Sequence, residues 1–436
     1  MNDTTQKMSS YRFRILAMLV YATTINYFDR SIIGVMAPTL SKMFHWTNDD
    51  YANIMIAFKV AYAIGMLTMG GIIDRLGTRK GYTLSIGIWS LFGMLHAAVQ
   101  PFFSIIGFAA ARFGLGFGES GHFPAAQKTV AEWFPKKDRA FATGLYNAAT
   151  SIGAILAPFV VGWIVSETGH NWQIPFLITG ALSSVWVFLW LRVYRKPEEH
   201  PHINQAELEY INSDDKPVTS ENAEKLPWSA VLPKRQTWAF AAAKITDAVW
   251  WFYLFWGAKF LASTFDVNLK NIGVPFLIMY LLADGGSIFG GWISGAFLRK
   301  GWTLNKARKM TLLMCALVIL PVSYVAITDN KWLAVVLIGI AAAGHQAWSA
   351  NIFTLVSDVF PKKAVASVTG IGGMVGAVAG ILGDKALGRV LDASGNTGYF
   401  WAFLIAGSMY LIILGFVHLI MPKMTPLDEN LKPIIG

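Results

Sequence analysis

About twelve apolar runs follow one another along this chain, each near the roughly 20 residues that a helix needs to cross a bilayer core. Their centres fall near Thr24, Ala61, Ser90, Ala110, Ser151, Ser183, Trp251, Leu281, Leu317, Ile340, Val378 and Ala406. Composition agrees with a membrane setting. Hydrophobic residues make up 54% of the chain and charged residues only 14%, against about 25% charged in an average soluble protein. Glycine recurs inside the runs, as expected where helices pack closely in lipid.

A net charge of +10 would suit a nucleic-acid partner, but its placement points elsewhere. Most Lys and Arg residues fall in alternate loops: Arg75, Arg79 and Lys80; Lys136, Lys137 and Arg139; the 192–235 segment; Arg299 to Lys309; Lys362 and Lys363. The opposite loops hold few: Lys42, Lys270, Lys331, Lys385 and Arg389. This asymmetry predicts an even number of spans, both termini in the cytoplasm, and no nucleic-acid partner. The first apolar run is too long for a cleavable signal and lacks small residues at a cleavage site, so it is expected to be the first span. The single Cys315 excludes an internal disulfide and is expected to pack.

A phrase occurs twice. Glu132-Trp133-Phe134-Pro135-Lys136-Lys137-Asp138-Arg139-Ala140 returns as Asp358-Val359-Phe360-Pro361-Lys362-Lys363-Ala364-Val365-Ala366, each copy between apolar runs. Two like halves in a membrane protein predict a transporter with its site near the midplane, in the seam between the repeats. The longest polar stretch joins them. The expected organisation is a six-helix bundle over 1–193, a cytoplasmic linker over 194–234 with a short amphipathic helix, and a second bundle over 235–436. Within the linker lie Arg195-Lys196-Pro197 and Asp214-Asp215-Lys216-Pro217.

Gly70-Gly71-Ile72-Ile73-Asp74-Arg75-Leu76-Gly77-Thr78-Arg79-Lys80 resembles the signature loop of the major facilitator superfamily. The resemblance implies an all-α membrane protein of twelve transmembrane helices in two pseudosymmetric bundles. Asp74 and Arg75 are the expected gate residues, with Asp74 latching onto basic groups or a helix N-terminus of the opposite half. The second copy, Gly290 to Lys300, carries Ser294 where the acid would stand. Arg112-Phe113-Gly114-Leu115-Gly116-Phe117-Gly118-Glu119-Ser120-Gly121-His122-Phe123-Pro124, the Trp-Phe-Pro-Lys-Lys loop and Asn26-Tyr27-Phe28-Asp29-Arg30 are similar to the anion:cation symporter family within that superfamily. The runs Thr246 to Trp256 and Gly344 to Asn351 resemble its bacterial sugar-acid branch, the hexuronate transporters above all.

Charges within the apolar runs carry the mechanism, since each costs about 2.5–3.5 kcal/mol or more at the bilayer centre. They are Asp29 and Arg30 in the first run; Lys59 in the second, three residues before Tyr62; Arg112 and Glu119 in the fourth; Lys244 and Asp247 in the seventh; and Asp284 in the eighth. Arg112 and Glu119, nearly two turns apart, share one helix face at about 10 Å. The plain alternative for each is an ion pair that fixes helix packing. On the functional reading, Arg30 holds a substrate carboxylate bidentately, with Lys59 as a second cation, and carboxylates in a low-dielectric cavity load and release protons. The resemblance implies that Asp29 and Glu119 are the coupling acids and that Arg112 is the partner that changes allegiance as they titrate. It also places Tyr27 and Tyr62 in the substrate pocket, while Lys59 departs from the family pattern.

A sugar acid also needs hydroxyl partners and a flat face. Gln346, Trp348, Ser349 and Asn351, with Trp251 and Tyr253, offer both; lipid or core contact is the alternative for the aromatics. His345 could titrate near neutrality or only hydrogen-bond. Gly114-x-Gly116-x-Gly118 has no preceding strand, so close helix packing is expected rather than a nucleotide loop. The eight histidines show no ligand spacing, so no metal and no cofactor is expected, and no catalytic set argues for an enzyme.

The expectation is a multi-pass, monomeric symporter of the bacterial cytoplasmic membrane that imports a sugar-acid anion with protons. Hexuronates (glucuronate and galacturonate) come first, aldonates and aldarates next. The alternatives are sodium-coupled organic anion uptake and a non-transporting membrane sensor.

Overall fold

The computed structural model describes residues 8–168, 171–213, 228–428 and 430–434. Its helices are α1 (Tyr11–Phe44), α2 (Asn48–Leu95), α3 (Ser104–Glu119), α4 (His122–Trp133), α5 (Lys136–Glu167), α6 (Gln173–Val193), α7 (Gln205–Ile211), α8 (Trp228–Val231), α9 (Arg235–Lys244), α10 (Asp247–Phe265), α11 (Gly273–Arg299), α12 (Leu304–Ile319), α13 (Lys331–Val359), α14 (Lys362–Ser394) and α15 (Gly398–Ile420). No strand forms among the described residues.

Local chemistry sets the helix breaks. α2 is two helices joined at Gly77, whose φ of 77° and ψ of 159° leave the helical region; a left-handed φ there favours glycine. α3 and α4 are one interrupted run, broken after Glu119, and α9 and α10 another, broken after Lys244. Counting α2 twice and joining these two pairs, the long helices make the twelve crossings expected. Eight stretches are long and apolar enough to span by composition alone. Two of them, Asn48–Ala98 and Ser367–Ile420, are 51 and 54 residues and hold two crossings each. α1, with Asp29 and Arg30, and α9–α10, with Lys244 and Asp247, are not among the eight.

The repeated phrase makes the same break twice. Proline cannot continue a helix from the preceding turn and is well placed at a new start. Pro135 (φ −62°, ψ 154°) separates α4 from α5, and Pro361 (φ −63°, ψ 150°) separates α13 from α14. Of the linker, residues 205–211 form the short helix α7; Asp214-Asp215-Lys216-Pro217 lies outside the described residues. Lys385 and Arg389 sit on α14 rather than in a loop, because that helix runs on to Ser394.

The chain divides into two compact units, residues 1–33 with 57–221, and residues 34–56 with 222–436. In the first unit the glycine run draws α3 against α2. A Cβ on Gly116 would lie 2.6 Å from the Phe58 carbonyl oxygen, and one on Gly118 2.5 Å from the Trp89 nitrogen. Close packing is therefore what these glycines serve. The unit's own polar clamp lies at Glu207 of α7, fully buried. It accepts from the Ser9 hydroxyl (2.5 Å), the Tyr11 and Arg12 backbone N–H groups (3.0 and 3.1 Å) and the Arg12 guanidinium (3.2 Å). A carboxylate from the linker thereby satisfies the orphan donors at the start of α1.

Candidate functional site

The deep charges of the first unit converge. Neighbouring residues on a helix point about 100° apart, so Asp29 and Arg30 of α1 face different helices. Arg30 reaches α3, where its Nε and Nη2 donate to the same oxygen of Glu119 at 2.9 and 2.8 Å. The side chains are 5% and 0% exposed. Nη2 also donates to Asn26 Oδ1 (3.3 Å), one turn back along α1. The guanidinium carbon lies 4.8 Å from the Tyr27 ring, 5.0 Å from Tyr62 and 5.5 Å from Phe58. Such faces attract a cation and hold its plane.

Asp29 turns to α6. Its Oδ2 accepts from the Ser183 hydroxyl at 3.2 Å, and Ser183 accepts in turn from the Trp89 indole at 2.9 Å. Thr179 lies alongside but donates to the Pro175 carbonyl of its own helix at 3.1 Å. Arg112 is buried with its guanidinium 4.3 Å from Phe58, on the ring that Arg30 also approaches. It is within electrostatic reach of both Asp29 and Glu119. Lys59 is buried beside Phe58 on α2. Two carboxylates and three cations thus share the interior of one unit. Sequence reasoning found all five, but not that Arg30 holds Glu119. It also missed Asn26, Phe58 and Ser183, although Asn26 sits four residues before Arg30, the spacing at which side chains on one helix face meet.

Asp74 lies just before the Gly77 break in α2. It is exposed and pairs with Lys128 of α4, in its own unit, at 2.8 Å; Arg75 is exposed. The Gly77 turn that precedes Thr78 also lets the Thr78 hydroxyl donate to Glu132 at 2.7 Å, and Tyr194 donates to the same carboxylate. The second unit has an analogous arrangement with other residues. Arg308 of α12 donates to Asp358 at 2.8 Å and to Ser294 at 2.6 Å. The repeat's acid, Glu132 or Asp358, is bound in both halves.

The neutral candidates divide. Asn351 is committed to packing: its Nδ2 donates to the Gly290 and Ala347 carbonyls (3.0 and 2.9 Å), and its Oδ1 accepts from Arg308 (3.4 Å). Both ends of the amide, expected to meet substrate, are thus used between α11, α12 and α13. His345 is buried, with Nδ1 2.6 Å from the Tyr410 hydroxyl and its ring stacked 5.4 Å from Trp250. Trp348 meets Tyr410 edge to face at 5.3 Å. The Trp348 indole N–H and the Tyr253 hydroxyl are buried without a hydrogen-bond partner, the condition of groups that await one. Gln346, Ser349 and Trp251 are half-buried, and Trp251 stacks on Phe255 at 5.3 Å. Lys244 and Asp247 pair at 2.5 Å across the break between α9 and α10, and Asp284 is half-buried on α11. Among the described residues no cluster could hold a metal ion.

The chain is similar to known proteins along most of its length. The chain is 31% identical over 398 residues to the hexuronate transporter of Escherichia coli K12, with 91% of each chain covered. It is 32% identical over 333 residues to the galacturonate transporter of Dickeya chrysanthemi, covering 76% of this chain and 95% of the relative. A probable galactarate/D-glucarate transporter of Bacillus subtilis is 28% identical over 442 residues, with 97% and 96% covered. Among solved structures, a bacterial homologue of the lysosomal transporter Spinster superposes with a TM-score of 0.77 at 18% identity, over 95% of this chain and 98% of that one. A D-xylose–proton symporter gives 0.71 at 15% identity, over 95% and 100%. The family model of the Major Facilitator Superfamily matches residues 19–383. This chain therefore belongs to the major facilitator superfamily, as a multi-pass membrane transport protein and not an enzyme.

Proposed function

We propose that the protein is a proton-coupled symporter that imports a sugar acid, a hexuronate such as glucuronate or galacturonate, by alternating access between two six-helix halves. The observation that carries this reading is the buried Arg30–Glu119 pair, with Asp29 and Arg112 beside it. A guanidinium forked toward one carboxylate is also the natural receptor for another. Glu119 already occupies Arg30, so a substrate carboxylate competes with it unless Glu119 takes up a proton. Protonation cancels the competitor's charge and frees the fork. Deprotonation restores the pair and expels the anion.

Asp29, anchored by Ser183, is the second acid in this scheme, and Arg112 offers either carboxylate a counter-charge. Trp348 and Tyr253, with unmet donors, together with Gln346 and Ser349, are the proposed partners for sugar hydroxyls. The relatives from E. coli and D. chrysanthemi, a hexuronate and a galacturonate transporter, support a hexuronate first. The B. subtilis relative makes an aldarate the next choice.

The test is uptake of labelled glucuronate into proteoliposomes with and without an inward proton gradient at fixed sodium. Accumulation that follows the proton gradient and is competed by galacturonate is the expected result. Accumulation that follows sodium at fixed pH would overturn the coupling, and active vesicles that bind glucuronate without flux would mark a sensor.

A further inference from the structure

The second unit contains a cavity of about 320 Å³, at the lower end of the roughly 300–1,000 Å³ of small-ligand pockets. It lies where the end of α1 and the start of α2 meet the ends of α10 and α14, and Ser41, Asn48, Lys259, Ser263, Asn396 and Tyr399 line it. Lys259 of α10 supplies the charge. Its ammonium makes one hydrogen bond, to Asn48 Oδ1 at 2.9 Å, and an ammonium has three donors. The Tyr51 ring, 4.7 Å away, holds it in place. Two carboxylates, Asp392 and Asp50, act on it; their hydrogen bonds come from neutral groups around the start of α2, so both keep their charge. Asp392 accepts from the Asn48 and Asp49 backbone N–H groups at 2.7 and 2.8 Å, and Asp50 from Thr47 at 2.9 and 2.7 Å.

The remaining walls are hydroxyl and amide. Ser41 Oγ is buried without a partner. Asn396 Nδ2 donates to the Ser263 carbonyl at 2.8 Å, which leaves its own carbonyl oxygen to accept. Tyr399 gives an aromatic wall. One cation, several neutral donors and acceptors, and a ring are the chemistry that recognises a polyhydroxylated carboxylate.

We infer that this cavity is a second, peripheral binding site for the sugar-acid anion, distinct from the Arg30 site, where Lys259 captures the carboxylate. The inference rests on the sugar-acid reading above. The site raises local substrate concentration at the end of the spans where α2 begins, so its loss raises KM and leaves the maximal rate within about twofold. A role confined to holding α2 against α10 would instead change the maximal rate.

The chain's only cysteine, Cys315, is buried, so Ser263→Cys gives a reporter thiol on a silent background, with Asn396→Cys as the second reporter. Maleimide labelling of full-length protein in nanodiscs is followed with glucuronate, glucose or inorganic phosphate. Glucuronate is expected to slow labelling severalfold and glucose not at all. Lys259→Gln should abolish the protection, while Arg30→Gln should leave it. No protection in either reporter, protection that survives Lys259→Gln, or protection lost with Arg30→Gln would each overturn the second site. Phosphate protecting better than glucuronate would overturn the sugar-acid assignment. Failure of the transport reading is distinguishable, because wild-type vesicles would then show no gradient-driven glucuronate uptake while the protection pattern stood.

Discussion

Glu119→Gln separates proton coupling from substrate recognition, because it keeps the shape of the carboxyl group and removes its charge. In the wild type, two N–H groups of Arg30 converge on one Glu119 oxygen at 2.8 and 2.9 Å, in a place closed to solvent. Removing one partner of a buried ion pair costs about 3–5 kcal/mol. Here the loss falls at the lower end, about 3 kcal/mol. The amide oxygen still accepts one bond, Asn26 keeps its contact at 3.3 Å, and the Tyr27 and Tyr62 faces remain. The substrate-free variant should therefore melt below the wild type. Bound glucuronate, at about 100 times its Kd, should return about 2.7 kcal/mol.

Transport gives the sharper readout. Each proton taken up on binding makes affinity change about tenfold per pH unit, worth about 1.4 kcal/mol. With Glu119 unable to titrate, the slope of log Kd against pH should fall by one. Counterflow exchange in proteoliposomes should persist while accumulation driven by a proton gradient disappears. A Glu119→Gln protein that still concentrates glucuronate, with its pH slope unchanged, would refute the assignment of the proton to this carboxyl.

Arg30→Lys keeps the charge but loses the planar fork and much of the stacking on Tyr27 and Tyr62; kcat/KM for glucuronate should fall by about 2–3 kcal/mol, roughly 30- to 150-fold, and an unchanged kcat/KM would move the carboxylate receptor elsewhere. Asp392→Ala removes the side chain that caps the first turn of α2 at 2.7 and 2.8 Å; hydrogen exchange of the 48–51 amides should speed up by the worth of a cap, about 1 kcal/mol. Glu207→Gln should loosen the start of α1. Burial disfavours charge on Glu207, but the Ser9 hydroxyl, the Arg12 and Tyr11 N–H groups and the Arg12 guanidinium more than offset it and hold the carboxyl below its ordinary value of 4.5. A lowered folded value means that the clamp's contribution is full above about pH 4.5 and is lost as pH falls through that lower value. Amide protection at 11–12 should therefore drop in Glu207→Gln at pH 7, and the difference should vanish in acid.

The fold was largely legible because a bilayer leaves few options. Runs of apolar residues, the Pro135 and Pro361 breaks and the Gly114–Gly118 run are local signals, and each does locally what its chemistry dictates. Choice of partner is a different kind of information. Whether Glu119 takes Arg30 or Arg112 depends on the rotation of α1 against α3, which no spacing along one helix encodes. Asn351 shows the same limit. Its neighbours Gln346 and Ser349 made it look like part of a polar binding face, yet its amide closes on Gly290 and on Arg308. The lost acid at Ser294 read as decay of the signature, but Ser294 is a hydrogen-bond partner of Arg308, whose charge goes to Asp358 of the repeated phrase. Asp384 escaped notice beside Lys385, which looked like a loop residue; it is buried in α14 and accepts from the Trp256 indole at 3.1 Å.

A count of charge in the first unit gives the sign that the proposed proton coupling takes, before any detail of motion. Arg30, Arg112 and Lys59 are buried in the same unit as Asp29 and Glu119, so taken together the five carry one net positive charge with both acids ionised and three with both protonated. Two unit charges 4 Å apart interact by about 4 kcal/mol at an effective dielectric of 20. Each proton thus strengthens the hold on a monoanion by an amount of that order before desolvation is counted, and its departure weakens the hold equally. A neutral substrate feels none of this. Glucuronamide, which has the hydroxyls of glucuronate and an uncharged amide in place of the carboxylate, should bind weakly with an affinity flat in pH, while glucuronate binds more tightly as pH falls. Competition of each against labelled glucuronate across pH 5.5–8 measures both slopes. A glucuronamide slope equal to that of glucuronate would mean that protonation reshapes the site without acting on substrate charge, and the electrostatic account of coupling would fall.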